Sequence, residues 1–144
     1  MDKPIAGYGW FLKRIDNALE KEANANLQAL NLTMQQNRVL ILLAHAEGYT
    51  LSLKALEEHF GAAQSTVAGL ASRLEKKGLV EPVHDPADKR IKRIRLTEEG
   101  LRLHAISHQN VVESEERLTS LLTAEEKEAL LTCLKKVWEA VRQP

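Results

Sequence analysis

Apolar residues recur along this chain at helical spacing, interrupted once by a short alternating stretch. Tyr8, Leu12, Ile15, Leu19, Ala23, Leu27 and Leu30 fall three or four apart, which predicts a long helix over 5–30. Thr33 and Gln36 carry the signature of a capping box. The helix they open has Val39, Leu40, Leu42, Leu43 and Ala46, apolar almost all round, so it is expected to be central and to stop at Gly48. Leu51–Leu53 allows a very short strand, and Ser52 caps the next helix, with Leu53, Leu56 and Phe60 apolar and Gly61 as its stop. A tight turn leads to a second helix with Val67, Leu70, Ala71 and Leu74 on one face and Gly78 at its end. Two short helices across a Gly-containing turn make a helix-turn-helix.

The alternating stretch follows. Leu79 to Val83 and Arg93 to Leu96 read as the two strands of a hairpin. Pro82 lacks an N–H, so its strand should be an edge or Pro82 should face outward. Asp85-Pro86-Ala87-Asp88-Lys89-Arg90 between them is rich in turn formers. Thr97 then caps a helix with Glu98 and Glu99 in its first turn and an apolar series from Leu101 through Leu118, Leu121 and Leu122. Thr123 and Glu126 form a second capping box, and Leu130, Leu131, Leu134, Val137, Trp138 and Val141 stripe the last helix. The fold class is therefore mainly α with a small β-hairpin wing: a winged helix-turn-helix over 33–97, with helical regions at 1–32 and 98–144. Those helices carry more apolar surface than a small winged helix covers, and a homodimer built from both chain ends resolves the excess.

Charge changes the picture next. The chain has 20 basic and 20 acidic residues and no net charge, but the distribution matters more than the sum. Residues 1–62 hold 6 basic and 7 acidic groups, residues 63–95 hold 8 and 4, and residues 96–144 hold 6 and 9. Only the helix and hairpin of the middle segment are positive, and Lys89 to Arg95 has five cations in seven positions. A charge run is ordinarily a solvated face, but its place after a helix-turn-helix points to double-stranded DNA. Gln64, Ser65, Thr66, Gly69, Ser72 and Arg73 lie on the outer face of the second helix and are concentrated toward its N-terminal half, where a recognition helix meets base edges.

Other chemistry is sparse. There is no Gly-rich phosphate loop, nucleophile elbow or triad, so an enzyme is not expected. Cys133 is the single cysteine, cannot form an internal disulfide, and fits a reducing cytoplasm. No secretory segment opens the chain, and the longest apolar run, Val39 to Ala44, is too short to span a bilayer. His104 and His108 are four apart on one helix, but two ligands do not make a site, and His45 has no spacing partner. No metal or cofactor is expected.

At this point the chain resembles the MarR family of transcriptional regulators, over roughly residues 8 to 140. The resemblance is carried by Asp85-Pro86-x-Asp88-x-Arg90 running on to Leu96-Thr97-x-x-Gly100, and by Gln64-Ser65-Thr66-Val67 through Arg73-Leu74-Glu75-Lys76-Lys77-Gly78-Leu79-Val80. It implies a homodimer joined through the first, fifth and sixth helices. It implies that Asp88 organises the wing loop and Arg90 enters the minor groove, with Lys89, Lys92 and Arg93 adding wing charge. Gln64, Ser65 and Thr66 would read or position in the major groove, and Arg73 would contact phosphate or a base edge. It also implies a small-molecule effector between the dimerisation helices and the DNA-binding lobe, with Trp10, Phe11, Arg38, His45 and His104 as crevice candidates and an anionic or aromatic ligand as their match. Some family members sense zinc through paired histidines on the fifth helix, so a metal-responsive regulator stands as an alternative. A winged helix used only for protein–protein contact is another. Two departures stand out. Ala63 occupies the position of a capping Ser, costing about 1 kcal/mol, and Lys89 replaces the more usual Arg or other polar residue.

Overall fold

The computed structural model describes residues 6–144; the expected helical start at Ile5, like the rest of 1–5, lies outside them. The element order is α1 (Tyr8–Ala29), α2 (Met34–Ala44), a single 3-10 turn (Glu47–Tyr49), β1 (Thr50–Ser52), α3 (Leu53–Phe60), α4 (Gln64–Lys76), β2 (Val80–His84), β3 (Lys92–Leu96), α5 (Glu98–Leu118) and α6 (Ala124–Val141). The chain divides into two compact units, one ending at Asn110 and one running from Val111 to Pro144. The division falls inside α5.

The first unit closes its own core. Val39, Leu40 and Leu43 of α2 are almost wholly buried with Leu56, Val67, Leu74 and Val80, which makes α2 the central helix its composition predicts. α1 adds Leu27, and Asn31 turns the chain in the left-handed region (φ 55) to bring in Leu32; Asn is one of the few residues that accepts this conformation without strain. The Thr33–Gln36 capping box then opens α2. α2 stops at Ala44 rather than Gly48: His45 Nδ1 bonds the Ile41 carbonyl, Ala46 is extended, and Gly48 turns the chain at φ 63 toward β1.

The sheet is three-stranded, in the order β1-β3-β2, antiparallel throughout. Pro82 therefore lies on an edge strand, where proline is tolerated in a sheet. β1 runs over Thr50–Ser52, one residue earlier than its sequence suggested, and pairs Thr50 with Arg95 and Ser52 with Arg93. That pairing across β3 was not foreseen from the hairpin.

The exit from α4 is tied down by the Leu-Thr-x-x-Gly motif. Thr97 Oγ1 donates to the Gly78 carbonyl (2.6 Å) and accepts from Gly100 N–H (3.1 Å), while Thr97 N–H donates to the Leu79 carbonyl (3.1 Å). Gly100 is buried, and an added Cβ would overlap the Leu79 carbonyl oxygen and crowd Leu96. Glycine is required there because α5 passes directly over the backbone leaving α4. Lys77 adds a second tie, donating to the Asn31 carbonyl and to Gln36 Oε1 (2.8 Å). Ser107 of α5 donates to Asn37 Oδ1 (3.1 Å), both buried.

The second unit comprises the end of α5 and α6, joined by a turn that contains Leu121 and Leu122, which were expected to continue α5. The Thr123–Glu126 capping box opens α6 as expected. No residue of α6 is buried: Leu130, Leu131, Leu134, Val137 and Trp138 all face open solvent.

Candidate nucleic-acid interface

α4 presents two unlike faces. Val67, Leu70, Ala71 and Leu74 are buried, while Gln64, Ser65, Thr66, Ser72 and Arg73 are exposed. Gly69 is half-buried, and a Cβ there would meet only Arg73 Nη1 at 3.8 Å, so the glycine marks where the Arg73 side chain lies along the helix. Ala68 and Lys76 share the exposed face, and Ala68 carries no polar group by which a sequence pattern would mark it. Ala63 makes no side-chain cap.

The wing is organised by two aspartates. Asp85 Oδ1 accepts from the N–H groups of Ala87 (2.8 Å) and Asp88 (3.1 Å), and Oδ2 accepts from Arg93 Nη1 (3.2 Å). These bonds, the Ala87 N–H first, hold the Asp85 carboxyl below its ordinary pKa. Asp88 accepts from Arg90 three times: backbone N–H (2.9 Å), Nε (3.0 Å) and Nη2 (3.0 Å). The Arg90 side-chain bond lowers the Asp88 pKa and raises that of Arg90. Loop organisation therefore belongs as much to Asp85 as to Asp88. Asp88 acts mainly on Arg90, whose side chain stays 90% exposed while one edge is chelated.

The five cations of the wing separate into two kinds. Arg90, Arg93 and Arg95 hold carboxylates, Asp88, Asp85 and Glu81 respectively. Arg93 is half-buried, so its role in this structure is to brace the loop against β3. Lys89 and Lys92 are exposed and have no charge partner among the described residues. Sequence spacing showed the charge run but not this division, which depends on which carboxylates the hairpin register brings opposite.

The crevice candidates form three separate groups. Trp10 and Phe11 pack edge to face at 4.9 Å, with the Arg14 guanidinium 4.3 Å from the Trp10 ring centre. Arg38 is exposed: it donates to the His59 carbonyl (2.9 Å) and lies 4.4 Å from the Phe60 ring centre, bracing α2 to α3. His45 and His104 do come together, with ring centres 6.0 Å apart, and His108 lies 6.2 Å beyond His104. Burial, then the His45 and His108 charges, lower the His104 pKa, and its buried Nδ1 has no hydrogen-bond partner. Among the described residues no group of three or more His, Cys, Asp or Glu has a metal-holding arrangement.

The MarR family model matches residues 30–91 of this chain, from the end of α1 to the wing tip. The transcriptional regulator HosA of Escherichia coli O111:H- is 32% identical over 110 residues, covering 76% of this chain and 80% of HosA. The chain belongs to the MarR family of transcriptional regulators. As a MarR-family chain it is also similar to YfiV of Bacillus subtilis, an uncharacterised HTH-type transcriptional regulator, at 34% identity over 101 residues; the match covers 70% of this chain and 62% of YfiV. The crystal structure of a MepR–DNA complex from S. aureus superposes with a TM-score of 0.82 at 26% identity, covering 94% of this chain and all of that one. Apo MarR from E. coli superposes at 0.72 with 28% identity, over 94% and 98%. No helix of the described residues is long and apolar enough to cross a membrane.

Proposed function

We propose that this MarR-family chain acts as a homodimeric, sequence-specific DNA-binding repressor of a pseudo-palindromic operator in the cytoplasm. The observation that carries the reading is the joint presentation of the polar face of α4 and the projecting Arg90, held in one orientation by Asp88. A helix of this kind fills the major groove, and an arginine on a wing suits a narrow, electronegative minor groove. The similarity to MepR, crystallised on DNA, supports it. The exposed apolar stripes of α6 (Leu130, Leu134, Val137) and α1 (Leu12, Ile15) support the dimer, because soluble chains seldom leave such stripes uncovered. Two lobes would grip half-sites whose centres lie about 10 base pairs apart.

The test is a gel-shift titration on the DNA upstream of the chain's own reading frame. Arg90→Ala should weaken specific binding by about 1–3 kcal/mol; unchanged affinity would remove the wing from the interface. A wild-type protein that binds no genomic fragment at low salt would favour a protein–protein role instead.

A second element of the reading is an anionic or aromatic effector that modulates DNA binding. The unpartnered buried Nδ1 of His104 beside His45 favours it. Absence of heat in calorimetry against a panel of phenolic acids, with no change in DNA binding, would remove this element and leave the DNA-binding reading intact.

A further inference from the structure

A helix in a major groove and a wing in the flanking minor groove straddle one sugar-phosphate strand, because a backbone separates the two grooves. That strand must pass between α4 and the wing tip. In this chain the space there is a cleft of 600 Å³, walled by Lys54 and Glu57 of α3, Gln64 of α4, and Arg90, Ile91 and Lys92 of the wing. Lys54 appears in neither the recognition-helix nor the wing pattern of the sequence. It reaches the cleft because β1 pairs with β3: Ser52 lies opposite Arg93, so the residues following Ser52 enter α3 beside Lys92. Lys54 and Lys92 are both exposed, and neither has a charge partner among the described residues, whereas Arg90 already holds Asp88. Two lysines without a charge partner thus line one opening from two different elements, and Glu57 is the carboxylate lining it.

We infer that Lys54 and Lys92 form a seat for a backbone phosphate of DNA in the cleft between α3 and the wing, with Glu57 limiting its grip. The inference rests on the DNA-binding reading above. A lysine acts on phosphate as a point charge, without reading the base, so the seat contributes affinity and register but not sequence preference. Each phosphate neutralised releases counterions from the duplex and adds about 0.9 to the slope of log affinity against log salt; a dimer presents two such seats, and each lysine supplies half of their positive charge. Glu57 contributes in the opposite direction by repelling the same phosphate.

The experiment uses the full chain, a genomic duplex that it binds, and a scrambled duplex of equal length, with fluorescence anisotropy read over a series of salt concentrations. Lys54→Gln and Lys92→Gln should each lower the slope by about 0.9 and weaken both duplexes by a similar factor. Lys54→Arg should restore the slope, and Glu57→Gln should tighten both duplexes. Both lysines are exposed and unpaired, so equal thermal midpoints for the variants are expected and are measured alongside. If the wild type binds neither duplex, the DNA-binding reading itself falls. If the wild type binds while the lysine variants keep its slope, or lose only the genomic duplex, the phosphate seat is overturned and the DNA-binding reading stands.

Discussion

The unit ending at Asn110 and the unit beginning at Val111 treat the same kind of residue in opposite ways. In the first, α2 is surrounded, and Leu40 and Leu43 have no solvent exposure. In the second, α6 carries an equally regular leucine stripe, yet Leu134 is 41% and Leu131 55% exposed. Both helices open with the same Thr-x-x-Gln/Glu capping box, so the way they start does not distinguish them. The difference is one of coverage. α2 lies against α4 and the sheet of its own chain, whereas α6 has an apolar face with nothing of its own unit upon it. An apolar stripe contributes stability only where another surface removes it from water, and for α6 the proposed second surface is another copy of this chain.

The sharpest way to break that contrast is a pair of leucine substitutions. Leu40→Ala should lower the unfolding free energy by about 2–5 kcal/mol, read by urea denaturation. Leu134→Glu should leave helical content near wild type but shift the protein from dimer to monomer in sedimentation. A dimer that survives Leu134→Glu would mean that the α6 stripe is not the interface. Gly100→Ala should come next, at about 1–3 kcal/mol of destabilisation or more, because the new methyl must displace the Leu79 carbonyl that seats α5 on the exit of α4.

Ala63→Ser should act in the other direction and more weakly. Ser52 at the start of α3 has φ −72 and ψ 154 and accepts from Ala55 N–H; Ala63 has nearly the same backbone, φ −63 and ψ 151, and no side chain to do so. The substitution should stabilise the first unit by about 1 kcal/mol, visible as a raised denaturation midpoint. The smallest effect concerns pH. The His104 pKa is lowered in the fold, so the unfolded chain binds this proton more readily. The first unit should therefore be most stable above the ordinary imidazole value of 6.5 and lose stability as pH falls below it. His104→Gln should flatten that part of the denaturation-midpoint profile; an unchanged profile would assign the slope to other groups.

Much of the lobe was legible because its signals are local. Capping boxes, a proline on a hairpin edge and the Gly61 stop of α3 act within a few residues, so spacing alone predicts them. The wing signature was legible for the same reason, since Asp88 holds a residue two positions away. What was missed depends on distant residues meeting. Arg38 interrupts an otherwise apolar helix, and only the approach of α3 supplies its partners, the His59 carbonyl and the Phe60 ring. His45 has no spacing partner in sequence, yet it meets His104 across two elements.

The sequence by itself determined the succession of elements, the positive middle segment and the family, because periodicity, capping and a short motif are properties of neighbouring residues. Only the tertiary structure decided which wing cations are already neutralised by Asp85, Asp88 and Glu81 and which are left unpaired. It also decided that Lys54 stands beside Lys92. Both follow from strand register, which fixes side chains against each other across stretches of chain that no local pattern connects.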